Sequence, residues 1–150
     1  MNAARERERV RLRLPPPAGA GEYLLLHRAP ARGGFWQSVS GRIEPGEKAD
    51  AAARREVKEE TAPDPVRVIC LEKVNVFYNV ALEAIHFEPC FGVEVAVGEP
   101  VLSNEHDAHR WVDGDQAEGL LPFAGVREAF CELGEVLFSM MSGAANNDPR

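Results

Sequence analysis

The fold of this chain is decided by Gly41-Arg42-Ile43-Glu44-Pro45-Gly46-Glu47-Lys48-Ala49-Asp50-Ala51-Ala52-Ala53-Arg54-Arg55-Glu56-Val57-Lys58-Glu59-Glu60. A turn at Pro45-Gly46 is followed by a predicted helix over residues 48–61. Successive helical residues rotate by about 100°, which places Ala49, Ala53, Glu56 and Glu60 on one stripe. The small alanines indicate the side that packs against the protein. We therefore expect Glu56 and Glu60 to point inward, with Glu59 at the border of the stripe.

Three carboxylates crowded beside a packed helix face need a compensating charge. Side chains three and four residues apart repel one another when they carry like charges, and burial disfavours the charged form. A divalent cation offsets both effects, and carboxylate oxygens suit Mg²⁺ or Mn²⁺. The carbonyl of Gly41 is a further candidate ligand, and Glu47 is placed to pair with Arg55 and fix the loop against the helix. The competing interpretation is a solvated, glutamate-rich helix face.

The segment resembles the Nudix box, which reads Gly, five residues, Glu, seven residues, Arg-Glu, an aliphatic, any residue, Glu-Glu, any residue, Gly and an aliphatic. The matching residues are Gly41, Glu47, Arg55, Glu56, Val57, Glu59 and Glu60. The last two positions depart from the pattern, with Ala62 in place of Gly and Pro63 in place of an aliphatic. That Gly usually caps the helix in a left-handed conformation, so Ala62 costs up to about 1 kcal/mol if the backbone is kept.

The resemblance implies the roles of the box residues. Glu56, Glu59 and Glu60 would be metal ligands, Gly41 would add its carbonyl, and Arg55 would orient the carboxylates. The implied reaction is hydrolysis of a phosphoanhydride bond by metal-activated water, with release of a nucleoside monophosphate. A general base is also needed, and the two candidates are Glu59 and the loop residue Glu105. For Glu105 the alternative is an ordinary loop carboxylate.

Residues outside the box bear on the substrate. Four segments are similar to the dihydroneopterin triphosphate and dATP pyrophosphohydrolase branch of the family: residues 35–41, 74–78, 105–106 and 111–112. This similarity favours a nucleoside or pterin triphosphate. Trp36, Phe77 and Tyr78 are candidates to stack on the base, although such aromatics are more often core residues. Arg28 and Arg42 are candidate phosphate contacts, the alternative being solvated arginines.

Other functions stay open at this point. The box binds the diphosphate, so it does not separate a triphosphate from ADP-ribose, a dinucleotide polyphosphate or oxidised dGTP. A protein of another class, a catalytically silent Nudix-fold module that binds a nucleotide or a protein, would be expected to lack box carboxylates. An α+β interaction module without metal is the third alternative.

Alternating segments predict a single domain over residues 9–143, with a charged leader at 1–8 and a polar tail at 144–150. The expected architecture is an α/β/α sandwich, an α+β fold with a mixed sheet between helices. Its predicted strands and C-terminal helix are residues 10–14, 23–27, 35–39, a hairpin of 66–78 with 84–97, 109–112, and the helix 123–141.

Composition excludes several classes. A net charge of −7 argues against a nucleic-acid polymer as partner. It does not argue against a small phosphorylated substrate, because a bound divalent cation can invert the local charge. Three scattered cysteines and four histidines without HExxH spacing argue against a zinc enzyme. The sequence shows no signal peptide and no apolar run of about 18 residues, so we expect a cytoplasmic protein with no membrane partner. The C-terminal helix can pack on its own sheet or on a second copy, as in a homodimer.

Overall fold

The computed structural model describes the backbone of residues 5–14 and the complete residues 22–96 and 98–141. Two short 3-10 turns, Pro30–Arg32 and Val80–Leu82, interrupt its connections. The elements described are β1 (Arg5–Leu14), β2 (Glu22–Arg28), β3 (Trp36–Gln37), β4 (Ser40–Arg42), α1 (Ala49–Thr61), β5 (Pro65–Asn79), β6 (Ala84–Val95), β7 (His106–Val112), α2 (Gly114–Leu120) and α3 (Ala124–Met141).

The strands form one mixed sheet in the order β3-β2-β1-β6-β5, with β4 paired to β1 and β7 paired to β2. β1 runs parallel to β6, and the other pairs are antiparallel. One end of β1 pairs with β2, where Leu12 faces Leu24, and the other end pairs with β4, where Glu8 faces Gly41. The sheet therefore divides along β1, since β2 pairs with one end of this strand and β4 with the other. This division places the start of the box, in β4, beside β1.

Helices cover both faces of the sheet. α1 closes one core, built from Leu24, Leu26, Val39, Ala53, Val57, Phe91, Val93 and Val95. α2 and α3 close the other core, which includes Tyr23, Leu25, Leu71, Cys90, Val112, Phe130 and Leu133. Alternate residues of one strand enter different cores, as a two-faced sheet requires. The predicted α/β/α sandwich with a mixed sheet is confirmed. Among the described residues, no helix is both long and apolar enough to cross a membrane.

Two strands begin earlier than the sequence prediction. β1 begins at Arg5, so residues 5–8, predicted as part of a charged leader, lie in a strand. Residues 5–8 form a strand because their backbone pairs with β4 and β6, and these hydrogen bonds do not depend on the side-chain charge. The pairing therefore outweighs the low strand propensity of charged residues. Similarly, β7 begins at His106, three residues before the predicted strand. The predicted tail at residues 144–150 lies outside the described residues.

Two elements were not predicted. Ser40–Arg42 forms a short strand where a loop was expected, because it pairs with β1. α2 begins with a capping box, in which Asp113 accepts a hydrogen bond from the backbone N–H of Gln116 and the Gln116 side chain accepts one from the N–H of Asp113. This reciprocal pair satisfies two amides that a helix start leaves free. It stabilises a helix too short to show clear hydrophobic periodicity.

Candidate functional site

The inward face of α1 carries two of the box glutamates. Ala52, Ala53 and Val57 are buried against the sheet, and Glu60 beside them is only 7% exposed. The side chain of Glu56 is 12% exposed and that of Glu59 is 59% exposed. The orientation expected from the helical stripe is therefore the one observed, with Glu59 on the outer border.

Gly41 makes the closest approach to this face. A β-carbon built at Gly41 would stand 1.8 Å from Cδ of Glu56 and about as close to both carboxylate oxygens. Only a residue without a side chain allows β4 to lie this close to the helix. The glycine thus fixes the position of the Glu56 carboxyl group between strand and helix.

Arg55 makes five hydrogen bonds, three of which tie the loop to the helix. Its Nε and Nη2 donate to the two oxygens of Glu47, each at 2.9 Å, and Nη2 also donates to the carbonyl of Arg42 at 2.8 Å. Its Nη1 donates to Glu56 at 2.7 Å and to Glu59 at 3.3 Å. The hydrogen bonds from Arg55 and from the backbone N–H of Glu44 lower the pKa of Glu47 to about 2. The predicted Glu47–Arg55 contact is present, and Arg55 also gathers two further box carboxylates.

Glu60 is the electrostatically exceptional residue of the site. Burial, followed by the negative charge of Glu56, raises the pKa of Glu60 to about 8. The charges of Glu105 and Glu59 raise this pKa further by smaller amounts, whereas the charge of Arg28 lowers it. Its Oε2 atom is buried without a hydrogen-bond partner among the described residues. A buried carboxylate oxygen without a partner is costly. The site is therefore short of positive charge at this atom.

The donor chemistry fits a divalent cation, because hard carboxylate oxygens line the site and Glu60 Oε2 lacks a partner. Within the described residues, no three Asp, Glu, His or Cys side chains are already grouped as a metal centre. Arg55 explains this arrangement, since its Nη1 binds both Glu56 and Glu59. A cation that binds all three box carboxylates has to weaken these two contacts.

The turn before β7 brings Glu105 to the same site. Its backbone carbonyl accepts a hydrogen bond from the N–H of Ala29 at 3.1 Å, and its carboxylate lies 3.2 Å from Nη1 of Arg32. The charge of Glu105 contributes to the raised pKa of Glu60, so the two carboxyl groups are electrostatic neighbours. The structure thus joins the sequence-predicted Glu105 to the box glutamates.

His106, the residue after Glu105, ties that turn to strand β3. It is buried, and burial lowers its pKa. The Gln37 side-chain N–H donates to Nε2 of His106 at 3.0 Å, which requires the neutral ring to present Nε2 as an acceptor. Because β3 supplies Gln37, the carboxylate of the neighbouring Glu105 is held at a defined distance from the sheet.

Arg28 connects the carboxylates to an aromatic pair. It lowers the pKa of Glu60, and its Nε is buried without a partner among the described residues. Its guanidinium carbon stands 5.9 Å from the ring centre of Phe35, whose ring in turn meets Phe123 edge-on at 5.4 Å. Sequence reasoning missed Phe123, because a lone aromatic after Pro122 carries no pattern that points to a site.

The predicted stacking residues have different surroundings. Trp36 contacts the His27 ring at 5.0 Å, and the Arg110 guanidinium lies 5.0 Å from its ring centre. Phe77 stacks on His86 with ring centres 4.9 Å apart. Tyr78 points to the opposite face of the same strand and is 58% exposed. Trp36 and Phe77 thus have ring contacts within the fold, whereas much of the Tyr78 ring is accessible.

The divided sheet between helices, the glutamates of α1 and the arginine that gathers two of them describe an α/β/α protein with a carboxylate-lined site. A family model described as the NUDIX domain matches residues 15–134. The chain therefore belongs to the Nudix family and is a Nudix hydrolase.

Relatives of known name agree with this family. The dihydroneopterin triphosphate diphosphatase of Escherichia coli K12 is 32% identical over 107 residues, covering 63% of this chain and 71% of that protein. An octanoyltransferase of Myxococcus xanthus is 44% identical over 108 residues, or 70% of this chain. The chain spans only 30% of that larger protein, so acyl transfer is not carried over to it.

Solved structures show the same fold. A Nudix hydrolase of Listeria monocytogenes superimposes with a TM-score of 0.77 and 27% identity, over 89% of this chain and 94% of the other. The dihydroneopterin triphosphate pyrophosphohydrolase of E. coli gives a TM-score of 0.70 and 27% identity, over 86% and 95% of the two chains.

Proposed function

We propose that this Nudix hydrolase cleaves a phosphoanhydride bond of a nucleoside or pterin triphosphate, with Mg²⁺ or Mn²⁺ held by Glu56, Glu59, Glu60 and the carbonyl of Gly41. The observation that carries the proposal is the buried, unpartnered Oε2 of Glu60 beside two carboxylates gathered by Arg55. The name of the E. coli relative supports a pterin triphosphate as substrate. The cytoplasmic location expected from the sequence stays a prediction.

The cation, when bound, neutralises charge on phosphate oxygens and makes water a better nucleophile at neutral pH. Two residues of the site, Glu60 and Arg55, bear on the binding of this cation. Burial holds Glu60 in its protonated form near neutral pH, so cation binding is coupled to release of a proton from this carboxyl group. Arg55 would keep its hydrogen bonds to Glu47 and to the Arg42 carbonyl, through Nε and Nη2, if a cation took Glu56 and Glu59 from its Nη1.

Two carboxylates are proposed as alternatives for the general base. Glu59 is 59% exposed and accepts one hydrogen bond from Arg55, so it faces the solvent side of the site. Glu105 is 40% exposed, lies beside Glu60 electrostatically and is oriented by Arg32. A general base must reach the proton that it removes, and both carboxylates border the same site. Glu105→Ala separates them, because a near-normal rate in this variant leaves Glu59 as the base.

The substrate is proposed to lie along Arg28, Phe35 and Phe123. Arg28 borders Glu60, so its guanidinium is placed to bind a phosphate oxygen. Phe35 and Phe123 follow outward from Arg28, and Phe123 is 45% exposed, so its ring offers a face for a heterocycle. Arg42, exposed next to Gly41, is a second candidate phosphate contact. Of the aromatic residues predicted to stack on the base, Tyr78 has the most accessible ring.

The test is a screen scored by product identity, with and without Mg²⁺ or Mn²⁺. Its arms are dihydroneopterin triphosphate, the common (deoxy)nucleoside triphosphates, ADP-ribose, dinucleotide polyphosphates and oxidised dGTP. We expect cation-dependent release of a monophosphate from a triphosphate. Preference for one of the other arms replaces the substrate assignment, and no turnover on any arm favours the catalytically silent module.

The metal assignment has its own variants. Glu59→Gln and Glu60→Gln should each lose at least about 100-fold in kcat, because each removes a charged ligand while keeping the shape of the side chain. Glu135→Gln, at an exposed position of α3, is the matched control and should keep the wild-type rate. Full activity in Glu60→Gln with an unchanged circular dichroism spectrum would rule out the assignment.

A further inference from the structure

The β5–β6 hairpin exposes a continuous apolar face. Val76 pairs with Phe87 and Tyr78 with Ile85, and directly paired residues project to the same side of a sheet. The turn of the hairpin adds two more exposed apolar side chains. The hairpin patch, as we define it, comprises Val74, Val76, Tyr78, Val80, Leu82, Ile85 and Phe87, each between 40% and 77% exposed.

The other face of the same hairpin is buried, which shows that the exposure is one-sided. Asn75 and Phe77 on β5 alternate with the patch residues and face Glu88 and His86 on β6. Gly125 of α3 lies against the Asn75 side chain, so α3 packs on this buried face. α1 covers the patch side only further along the hairpin, over residues such as Val93 and Val95.

The patch has the size and charge of a contact surface. Its seven side chains expose on the order of 600 Å² of apolar surface, the upper end of what the largest patch of a soluble monomer usually exposes, and such patches are often functional. A stable protein interface buries about 800 Å² on each partner. Residues 74–87 include one Asp, Glu, Lys or Arg, which is Glu83, in a chain with a net charge of −7.

The edge of β5 adds to this surface. β5 is the last strand in the sheet order. At its irregular centre the backbone N–H groups of Glu72 and Lys73 donate to the carboxylate of Glu132 on α3, at 2.6 and 3.1 Å. Residues 74–78 carry neither a charge nor a proline, the features that usually protect an exposed strand edge.

We propose that the hairpin patch is the surface through which two copies of this chain associate about a two-fold axis. Two molecules of charge −7 repel each other over most of their surfaces. A two-fold contact places the same patch against itself, and an uncharged patch meets itself without repulsion. The apolar face, on the order of 600 Å² on each copy against the about 800 Å² of a standard interface, then supplies the attraction. This contact differs from a dimer through the C-terminal helix.

Sedimentation velocity of the 150-residue chain tests the proposal, with two matched variants. Val76→Lys introduces a charge at the centre of the patch. Val66→Lys introduces the same charge on the same strand outside the patch, at a residue of similar exposure, 60% against 53%. From about 1 μM to about 200 μM, a micromolar association should bring the wild type and Val66→Lys to twice 16.5 kDa. Val76→Lys should stay at 16.5 kDa.

A second variant, Ile85→Lys on β6, guards against a folding defect in the first, and each variant is checked by circular dichroism. We expect Ile85→Lys to remain a folded monomer. A wild type that stays monomeric over the whole range overturns the proposal, as does dimerisation of Val76→Lys equal to that of Val66→Lys. A monomeric wild type that instead binds phosphatidylglycerol vesicles through the patch also overturns it, in favour of a membrane surface.

Discussion

The backbone of Gly41 lies directly against the carboxyl group of Glu56, so close that a β-carbon at residue 41 would stand 1.8 Å from Cδ. Strand β4 and helix α1 are thus held at a separation that no side chain at this position allows. The glycine matters for the position of a carboxylate more than for its own backbone conformation, which is an ordinary strand.

Gly41→Ala should therefore displace Glu56 and lower kcat by about 100-fold, since a shift of about 1 Å at a reacting site costs that much. The overpacked contact should also lower the free energy of unfolding by about 1–3 kcal/mol. Kinetics and urea unfolding measure the two effects. Gly119→Ala, where an added β-carbon meets nothing within 4 Å, is the control and should keep full activity. A fully active Gly41→Ala would contradict the assigned position of Glu56.

Glu60→Gln should abolish the stabilisation of the fold by divalent cations. Folding raises the pKa of Glu60 from 4.5 to about 8. Between these two values the folded protein binds a proton that the unfolded chain has released, so the free energy of unfolding falls as pH rises from 4.5 through 8. In EDTA near pH 8 we expect Glu60→Gln to be at least as stable as the wild type. Saturating Mg²⁺ should raise the wild-type Tm by about 5 °C and leave that of the variant unchanged. Equal shifts in thermal unfolding would place the cation elsewhere.

Glu47→Gln should remove an acid-sensitive part of the stability. The pKa of Glu47 is lowered to about 2 in the folded protein, mainly by the Arg55 hydrogen bond. Its contribution is complete above the ordinary value of 4.5 and disappears as pH falls towards 2. The difference in unfolding free energy between wild type and Glu47→Gln should be constant from about pH 8 to 5 and shrink below 4.5. A difference that does not change over the acid range would show that Arg55 does not stabilise the charged form.

Ala62→Gly should stabilise the protein by about 0.5–1 kcal/mol. Ala62 ends α1 at a φ of 72°, with its N–H donating to the carbonyl of Lys58, so the left-handed turn is kept without the usual glycine. Ala51→Gly, at an exposed position within α1, should instead destabilise by a similar amount, because glycine weakens a helix interior. Chemical denaturation of both variants tests the opposite signs, and a loss of stability in both would show that the turn is not strained.

Phe123→Ala should raise KM about 10-fold with little change in kcat, because stacking on a heterocycle contributes about 1–3 kcal/mol of binding. Phe123→Tyr should restore the wild-type KM. Phe138→Ala, 74% exposed on α3, is the control. With inorganic triphosphate, which has no heterocycle, Phe123→Ala and wild type should bind alike. An unchanged KM for the full substrate would place the heterocycle elsewhere and leave the hydrolysis itself untouched.

Local patterns in the sequence were sufficient for the helix α1 and for the β5–β6 hairpin. The alanine spacing predicts which side of α1 is buried, and it correctly places Glu60 inside and Glu59 outside. These features depend on neighbours within a few residues, where helical and strand periodicity is strong.

Contacts between distant segments could not be predicted in the same way. The parallel pairing of β1 with β6 joins residues such as Val10 and Phe91, and no pattern in either strand specifies the other. Arg28, Phe35 and Phe123, of which Phe35 contacts the other two, come from three separate elements or loops. The contacts around the substrate site are therefore products of the tertiary fold.

The two hydrogen bonds between the Glu132 carboxylate and the centre of β5 have a consequence for folding during synthesis. The N–H groups of Glu72 and Lys73 receive their acceptor from a residue translated about sixty positions later. A nascent chain that has released only residues up to β7 from the ribosome holds an edge strand whose middle amides still face water. Helix α3 thus completes the protection of β5, and until it has formed the chain exposes an unpaired strand edge of the kind that makes folding intermediates aggregate.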